Sequence, residues 1–208
     1  MSHADEALPS LTTISPLVLA SASPRRLVLL RQLGLEPALV VAPEIDERPL
    51  RDELPPAYAQ RIAQTKAAAA AALPAVATLG SCIVLAADTV VACGRRILPK
   101  AESDAEVRGC LDLLSGRRHR VITAVVLLDP SARATLRLST SQVRMKRLTG
   151  AEIEAYVACG EGRGKAGGYA IQGRAAAFTP WLSGSYTNVV GLPLFETFQM
   201  LSSHLIKR

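Results

Sequence analysis

The stretch best suited to bind an anion is 21–26, Ser-Ala-Ser-Pro-Arg-Arg, in which small and hydroxyl residues precede two arginines. The apolar residues 17–20 before it predict a buried strand, and Pro24 is typical of the first position of a helix, with Ser23 as its N-cap. Free N–H groups and the positive end of the helix dipole would then face the same point as the guanidinium groups. Phosphate is the anion that this arrangement favours. The pattern fits equally well a capped helix whose arginines are only solvated.

Carboxylates offer chemistry at two further places. Glu44, Asp46 and Glu47 fall within four positions of a predicted loop, and their mutual repulsion is relieved either by a divalent cation or by water. Asp88 directly follows the apolar segment 83–87, a predicted strand. Ligands of open α/β sheets bind beyond the carboxyl ends of strands, so this place suits Asp88 to metal binding or proton transfer. It suits a turn aspartate as well.

Composition narrows the class of chemistry. The four cysteines form no C-x-x-C pair, and two of the three histidines lie near the ends of the chain. These features argue against a zinc site and against a Ser-His-Asp triad, and they leave His119 as the only candidate for a histidine base. Scattered cysteines of this kind are typical of reduced thiols in a cytoplasmic protein.

The charge balance points to an anionic partner. A formal net charge of +6 suits either nucleic acid or a pocket for a polyanionic small molecule. Aromatic residues make up only 4% of the chain, which supplies few platforms on which unpaired bases could stack. We therefore favour the small anion over nucleic acid.

Strands and helices must position these residues. Hydrophobic patterning predicts short strands at 17–20, 39–41 and 83–87, a hairpin around 93–95, a buried strand at 121–128 and a half-exposed strand through 136–145 that is interrupted by a bulge. Helices are predicted after Pro24 and Pro55, after the capping boxes 103–106 and 149–152, and at 194–205. The small-residue segments 161–173 and 183–193 are predicted as loops. Residues 161–173 match neither the phosphate-binding P-loop nor the dinucleotide fingerprint.

The first 14 residues lack periodicity, a basic n-region and an apolar h-region. They predict a disordered tail over 1–14, followed by a single domain over 15–208. The uncharged run 67–87 is long enough to raise the question of a membrane span, but Pro74 and Gly80 interrupt it. It is interpreted as a helix end, a turn and a strand, and no membrane partner is expected.

Taken in order, five stretches resemble the Maf family of nucleoside triphosphate pyrophosphatases over nearly all of 17–201. They are Ser-Ala-Ser-Pro-Arg-Arg at 21–26, Asp-Thr-Val-Val at 88–91, Leu-Ser-Gly at 114–116, Lys-Ala-Gly-Gly-Tyr-Ala-Ile-Gln-Gly at 165–173 and Asn-Val-Val-Gly-Leu-Pro at 188–193. The 165–173 form is similar to the branch acting on dTTP and UTP, whereas the branch acting on 7-methyl-GTP lacks the glutamine motif. The resemblance implies an α/β fold of the Maf/ITPase type, with a twisted mixed sheet flanked by helices, two lobes around a cleft, and a homodimer.

The resemblance also implies roles for single residues. Asp88 is expected to be the proton acceptor and, with Glu47, to hold a divalent cation, Mg²⁺ or Mn²⁺. The residues expected to bind the substrate are Ser21, Arg25, Arg26, Lys66, Thr89, Lys100 and Gln172. Among these, Arg25, Thr89 and Gln172 are tied to substrate choice, and a carboxamide complements the imide edge of thymine or uracil.

Two positions depart from the family pattern. Ala101 follows Lys100 where the family has proline, and Gly164 stands where an acidic residue commonly precedes the lysine. The alternatives to a dTTP/UTP pyrophosphatase are a nucleic-acid-binding or cell-division regulatory protein that uses the same basic surface, and a pyrophosphatase with another base preference such as 7-methyl-GTP.

Overall fold

A computed structural model describes residues 11–206 and shows a mixed α/β architecture, with helices on both faces of a central sheet. Its strands are β1 (Leu17–Ala20), β2 (Leu39–Val41), β3 (Ile83–Cys93), β4 (Arg96–Leu98), β5 (Lys100–Ala101), β6 (Arg118–Leu128), β7 (Ala134–Arg144), β8 (Lys165–Ala166) and β9 (Trp181–Ser183). Its α-helices are α1 (Pro24–Gln32), α2 (Pro55–Ala71), α3 (Pro74–Ala77), α4 (Asp104–Leu114), α5 (Gly150–Cys159), α6 (Tyr186–Val190) and α7 (Leu194–Leu201). Short 3₁₀ helices follow at Arg174–Phe178 and Ser202–His204.

The main sheet has seven strands. Its order is β2-β1-β3-β6-β7-β9, and β4 pairs with the far end of β3. β1 runs parallel to β2 and β3. β6 is antiparallel to its neighbours β3 and β7, and β9 is antiparallel to β7. β5 and β8 form a separate antiparallel pair. The predicted mixed sheet flanked by helices is confirmed.

Successive side chains of each strand point to opposite faces of the sheet, and the apolar side chains on the two faces form two separate hydrophobic cores. Leu17 and Leu19 of β1 pack with α1 and α7 on one face, and Val18 and Ala20 pack with α2 on the other. The buried residues of α2 in the second core are Ala59, Ala63, Ala67 and Ala70. These small side chains let the helix lie close to the sheet, which explains the alanine-rich sequence of α2.

A third core lies at the opposite end of the sheet. There α4 and α5 pack with the ends of β3, β6 and β7 and with the segment around Tyr169 and Ile171. Both helices begin at the predicted capping boxes, in which Ser103 and Thr149 accept hydrogen bonds from the N–H groups of Glu106 and Glu152. A cleft separates this part from the end that carries α1 and α2, as the two-lobe interpretation predicts.

Three local predictions were wrong. β3 does not end at residue 87 but continues to Cys93, because β6 pairs with it without interruption from residue 84 to residue 92. β7 contains no bulge, since every residue from Ala134 to Arg144 has a partner in β6. Its apolar pattern changes phase because its two halves contribute to different cores, Leu136 to the α2 side and Val143 to the α4/α5 side. The third error concerns 183–193, where the predicted loop contains helix α6.

The predicted tail over 1–14 lies mostly outside the described residues. Its last part is hydrogen-bonded: the N–H of Leu11 donates to the carbonyl of Gly34, and the N–H of Ile14 donates to the carbonyl of His204. Thr13 also forms a β-bridge with Leu205. In the part of the chain that the structure describes, no helix has the length and apolar character needed to cross a bilayer.

Candidate active site

The cleft begins where β1 ends and α1 starts. Ser23 occupies the N-cap position, but its side chain makes no capping hydrogen bond, and Pro24 begins the helix. The hydroxyl of Ser21, two residues earlier, accepts the N–H of Ser23 at 3.1 Å. The first turn of α1 is therefore open toward the cleft, as an anion site at this helix terminus requires.

Asp88 lies in the middle of β3, not beyond its end. The parallel strand β1 stops at Ala20, which pairs with Ala86, so Asp88 lies just past the carboxyl end of β1. The crevice predicted beyond a strand end is thus formed by β1, with β3 as its wall.

Four alternating charges run across the cleft. The Lys66 ammonium lies 2.7 Å from Oδ1 of Asp88 and 2.9 Å from Oε1 of Glu47. Oε2 of Glu47 in turn lies 2.7 Å from the Lys100 ammonium. Asp88 and Lys66 are both buried, so this ion pair is shielded from bulk water.

Glu47 is held as an ionised carboxylate. Burial works to raise the pKa of Glu47, but hydrogen bonds from Lys100 and Lys66 keep it below the ordinary value. The hydroxyl of Tyr58 donates to the backbone carbonyl of Glu47 at 2.9 Å and fixes this part of the loop. Glu47 can therefore face an ammonium or a metal ion with its full charge near neutral pH.

The acidic cluster of 44–47 does not act as one metal site. Asp46 turns away to Arg48, whose side chain and backbone N–H hydrogen-bond to it and lower the pKa of Asp46 to about 2. Within residues 11–206, no group of three or more His, Cys, Asp or Glu side chains is arranged to hold a metal. The carboxylates that face one shared cation position are those of Glu47 and Asp88, and Lys66 now occupies that position. Two carboxylates suit Mg²⁺ when phosphate oxygens and water complete its shell, so the donor set fits the expected ion.

Arg26 is anchored by three neutral oxygens. Its Nε donates to the Gly191 carbonyl at 2.8 Å, and its Nη atoms donate to the hydroxyls of Ser21 and Thr89, both at 3.1 Å. Thr89 also hydrogen-bonds to the Thr123 hydroxyl at 2.9 Å. One buried guanidinium thus joins β1, β3 and the segment after α6, and two of its five N–H groups remain for a ligand.

The opposite wall is the glycine-rich segment 165–173. The hydroxyl of Tyr156 accepts the N–H of Ala170 at 3.0 Å, and Tyr169 lies 2.7 Å from Nε2 of His119. Gln172 follows on the cleft side and is exposed, with no hydrogen bond to any other described residue. Its carboxamide is therefore available to a ligand.

His119 is not a base. Its ring is buried, its Nδ1 has no hydrogen-bond partner within the described residues, and burial lowers the pKa of His119 to about 4. The ring does not line the cleft, and its contact is with Tyr169. The sequence interpretation of His119 as a candidate base is thus not supported by its position.

The structure brings all nine predicted site residues to one cavity of about 310 Å³. They are Ser21, Arg25, Arg26, Glu47, Lys66, Asp88, Thr89 and Lys100, joined by Gln172 on the far wall. The charged lining residues are five cations and two carboxylates, which leaves a local excess of three positive charges. Lys165 is the fifth cation, and sequence reasoning missed it. A lysine inside a glycine-rich segment was the available signal, but it was set aside because the segment is not a P-loop.

A mixed-sheet α/β protein with a cationic cleft around a buried carboxylate is the class that this fold and site define. The model of the family described as "Maf-like protein" matches residues 16–204. The dTTP/UTP pyrophosphatase of Novosphingobium aromaticivorans is 58% identical over 185 residues, which cover 89% of this chain and 90% of that protein. The dTTP/UTP pyrophosphatase of Rhodospirillum rubrum is 58% identical over 187 residues, covering 90% and 87%. That of Paramagnetospirillum magneticum is 57% identical over 185 residues, covering 89% and 95%. The chain belongs to the Maf family.

Proposed function

We propose that this chain is a nucleoside triphosphate pyrophosphatase that hydrolyses dTTP and UTP to the monophosphate and pyrophosphate. The observation that carries the proposal is the buried Asp88, held by Lys66 inside a cleft with a net excess of positive charge. A cleft of this charge suits a triphosphate. The names of relatives at 57–58% identity support the choice of dTTP and UTP.

Asp88 acts as the proton acceptor in the hydrolysis. Lys66 contacts its Oδ1, which leaves Oδ2 to orient a water molecule and accept its proton. The water oxygen forms a bond to the α-phosphorus, and the bond from that phosphorus to the bridging oxygen breaks. The bridging oxygen keeps the electron pair and leaves as part of pyrophosphate, so one water is consumed for each nucleotide cleaved.

The cations and hydroxyls around Asp88 bind the phosphates. Ser21 and the open first turn of α1 provide donors, and Arg25, Arg26 and Lys100 provide charge. A divalent cation, Mg²⁺ or Mn²⁺, would be held by Glu47 and Asp88, and when bound it would neutralise phosphate charge and polarise the phosphoryl group. Lys66 would then neutralise the phosphates beside it.

Gln172 and Thr89 set the base preference. The Gln172 carboxamide is exposed to the cleft, and it offers a donor and an acceptor that match the imide edge of a pyrimidine base. A base with a different edge would leave this pair unsatisfied, which is how polar sites discriminate between ligands.

The test is pyrophosphate release from dTTP, UTP, CTP and 7-methyl-GTP, with Mg²⁺ or Mn²⁺, by the full chain and by Asp88→Asn. We expect turnover of dTTP and UTP and a loss of about 10²- to 10⁴-fold or more in the variant. The control is Asp112→Asn, which changes an exposed aspartate of α4 and should retain full activity. Turnover of another nucleotide instead would overturn the base preference. No turnover of any nucleotide, with tight salt-sensitive binding of DNA or RNA that persists in Asp88→Asn, would favour the nucleic-acid-binding alternative.

We further infer a cytoplasmic homodimer. Nucleotide substrates and four free thiols, none of them paired in the described residues, suit a reducing compartment. The exposed phenylalanines of α7 supply an apolar surface for a second copy.

A further inference from the structure

Four of the five cations of the cleft fall into two groups by their partners, and the fifth, Arg26, is held by neutral oxygens. Lys66 and Lys100 each lie within 3 Å of a carboxylate oxygen. Arg25 and Lys165 have no carboxylate oxygen within 4.0 Å among residues 11–206, although both line the same cleft. Lys66 and Lys100 are therefore already paired with carboxylates, whereas Arg25 and Lys165 have no carboxylate in direct contact among the described residues.

Arg25 and Lys165 both have unused donors. Nε of Arg25 is buried and makes no hydrogen bond to any described residue. The Lys165 ammonium donates to the backbone carbonyl of Arg163 at 3.2 Å, and two of its three N–H groups remain. A buried donor without a partner is unfavourable, so the Arg25 guanidinium is arranged for an acceptor that the described residues do not supply.

The two cations are also close enough to repel each other. Burial lowers the pKa of Lys165 and the charge of Arg25 lowers it further, while the more weakly acting charge of Glu102 raises it. Burial likewise lowers the pKa of Arg25. An anion placed between them would relieve both the repulsion and the loss of hydration.

The backbone fixes Lys165 at this place. β8 pairs with β5, so that Lys165 lies opposite Ala101 and its neighbour Ala166 lies opposite Lys100. Gly164, the residue before Lys165, donates its N–H to the carbonyl of Ala101 at 2.7 Å. The backbone of Lys165 is thus held in a small two-stranded sheet that also presents Lys100.

We propose that Lys165, together with Arg25, forms the subsite for the terminal phosphates and holds the departing pyrophosphate. The inference rests on the proposed function. When the bond from the α-phosphorus to the bridging oxygen breaks, the electron pair adds negative charge to the leaving group, and the two unpaired cations face that charge. Asp88, Lys66 and Glu47 act at the α-phosphate, where the carboxylates are already balanced.

The experiment measures binding of pyrophosphate and of thymidine monophosphate to the full chain by titration calorimetry in Mg²⁺, which requires no turnover. Lys165→Ala should weaken pyrophosphate binding by about 10- to 100-fold and leave monophosphate binding unchanged. Lys165→Arg should restore most of the affinity for pyrophosphate. The matched control is Arg163→Ala, which removes a neighbouring cation that pairs with Asp104 and does not line the cleft.

Weakened binding of the monophosphate, or unchanged binding of pyrophosphate, would overturn the assignment. Lys165→Met keeps an unbranched stem of similar length without the charge, and it replaces the alanine variant if the latter unfolds. If the wild-type chain cleaves no nucleotide, the proposed function fails, yet the comparison of the two ligands still decides whether Lys165 belongs to a pyrophosphate subsite.

Discussion

Asp88 and Thr89 are neighbours in β3, yet their side chains point to opposite faces of the sheet. Asp88 meets Lys66 of α2 on one face, and Thr89 meets Arg26 of α1 on the other. Both residues line the cleft because β1 stops two residues earlier and uncovers this part of β3. One strand therefore carries both the proposed proton acceptor and a residue proposed to select the substrate.

Replacing Gln172 tests its role in substrate recognition without a large change in folding stability. Because its side chain makes no hydrogen bond to any described residue, Gln172→Ala should change the free energy of unfolding by less than about 0.5 kcal/mol. We expect kcat/KM for dTTP and UTP to fall by at least about tenfold, since a base edge loses its partner. Steady-state pyrophosphate release and urea denaturation check both parts. Gln64→Ala, on the exposed side of α2, is the control, and equal losses in the two variants would contradict the role of Gln172.

His119 predicts a pH dependence of stability. Burial lowers its pKa from 6.5 to about 4, so the unfolded chain binds a proton in a range where the folded chain does not. The free energy of unfolding should therefore fall as pH drops from about 6.5 toward 4, by up to about 1.4 kcal/mol per pH unit from this group. Urea denaturation at pH 7, 6 and 5 measures the slope. His119→Gln should show a shallower slope than the wild type, and equal slopes would rule out this assignment.

At the scale of elements, close packing around its glycines fixes the position of the glycine-rich wall of the cleft. A Cβ on Gly162 would overlap the carbonyl oxygen of Gly168 and come within 2.7 Å of Val107. Gly162→Ala should therefore cost about 1–3 kcal/mol of stability and displace the segment that carries Lys165 and Gln172, which lowers kcat/KM as well.

The control for this prediction is Gly160→Ala. Gly160 has a φ of +72° and open space around it, so alanine there meets only the cost of left-handed backbone, about 1–2 kcal/mol. Thermal unfolding and kcat/KM of both variants decide the matter. If Gly162→Ala retains full kcat/KM, the packing of this wall does not position the site.

Sequence patterns that span a few residues correctly predicted the elements that contain them. Features that depend on contacts between distant parts of the chain were not predicted. Capping boxes at Ser103 and Thr149 fixed the starts of α4 and α5, because a cap depends on residues three apart. The length of β3 depends on pairing with β6, about 35 residues away along the chain, which no local pattern reports. Lys165 was missed for the same reason, since its meaning comes from Arg25 across the cleft.

At the scale of the whole molecule, half of the formal net charge of +6 lies in the cleft, where five cations face two carboxylates. A cavity of about 310 Å³ has the size of a small-molecule site. A nucleic-acid duplex is read from outside by elements that enter its grooves, so charge recessed in such a cavity suits a nucleotide better than a duplex.

The exposed side of α7 is the surface that we propose for contact between two copies of the chain. Phe195 is 69% exposed and Phe198 is 40% exposed, and their spacing of three residues places them on one side of the helix. Met200 and Leu201 of the same helix are buried in the core, so the two phenylalanines are not needed to attach α7 to the sheet. An adjacent exposed aromatic pair suits burial against a second copy of the chain.

We expect sedimentation equilibrium to give twice the chain mass of 22.0 kDa for the wild type and a single chain mass for the Phe195→Glu, Phe198→Glu variant. Two carboxylates placed in an apolar interface would remain without partners and oppose association. Leu50→Glu changes an equally exposed apolar residue of a loop and should leave the dimer intact. A wild-type chain that sediments as a monomer would refute the homodimer. A double variant that remains dimeric would place the interface elsewhere, because an interface centred on α7 cannot form with both charges buried.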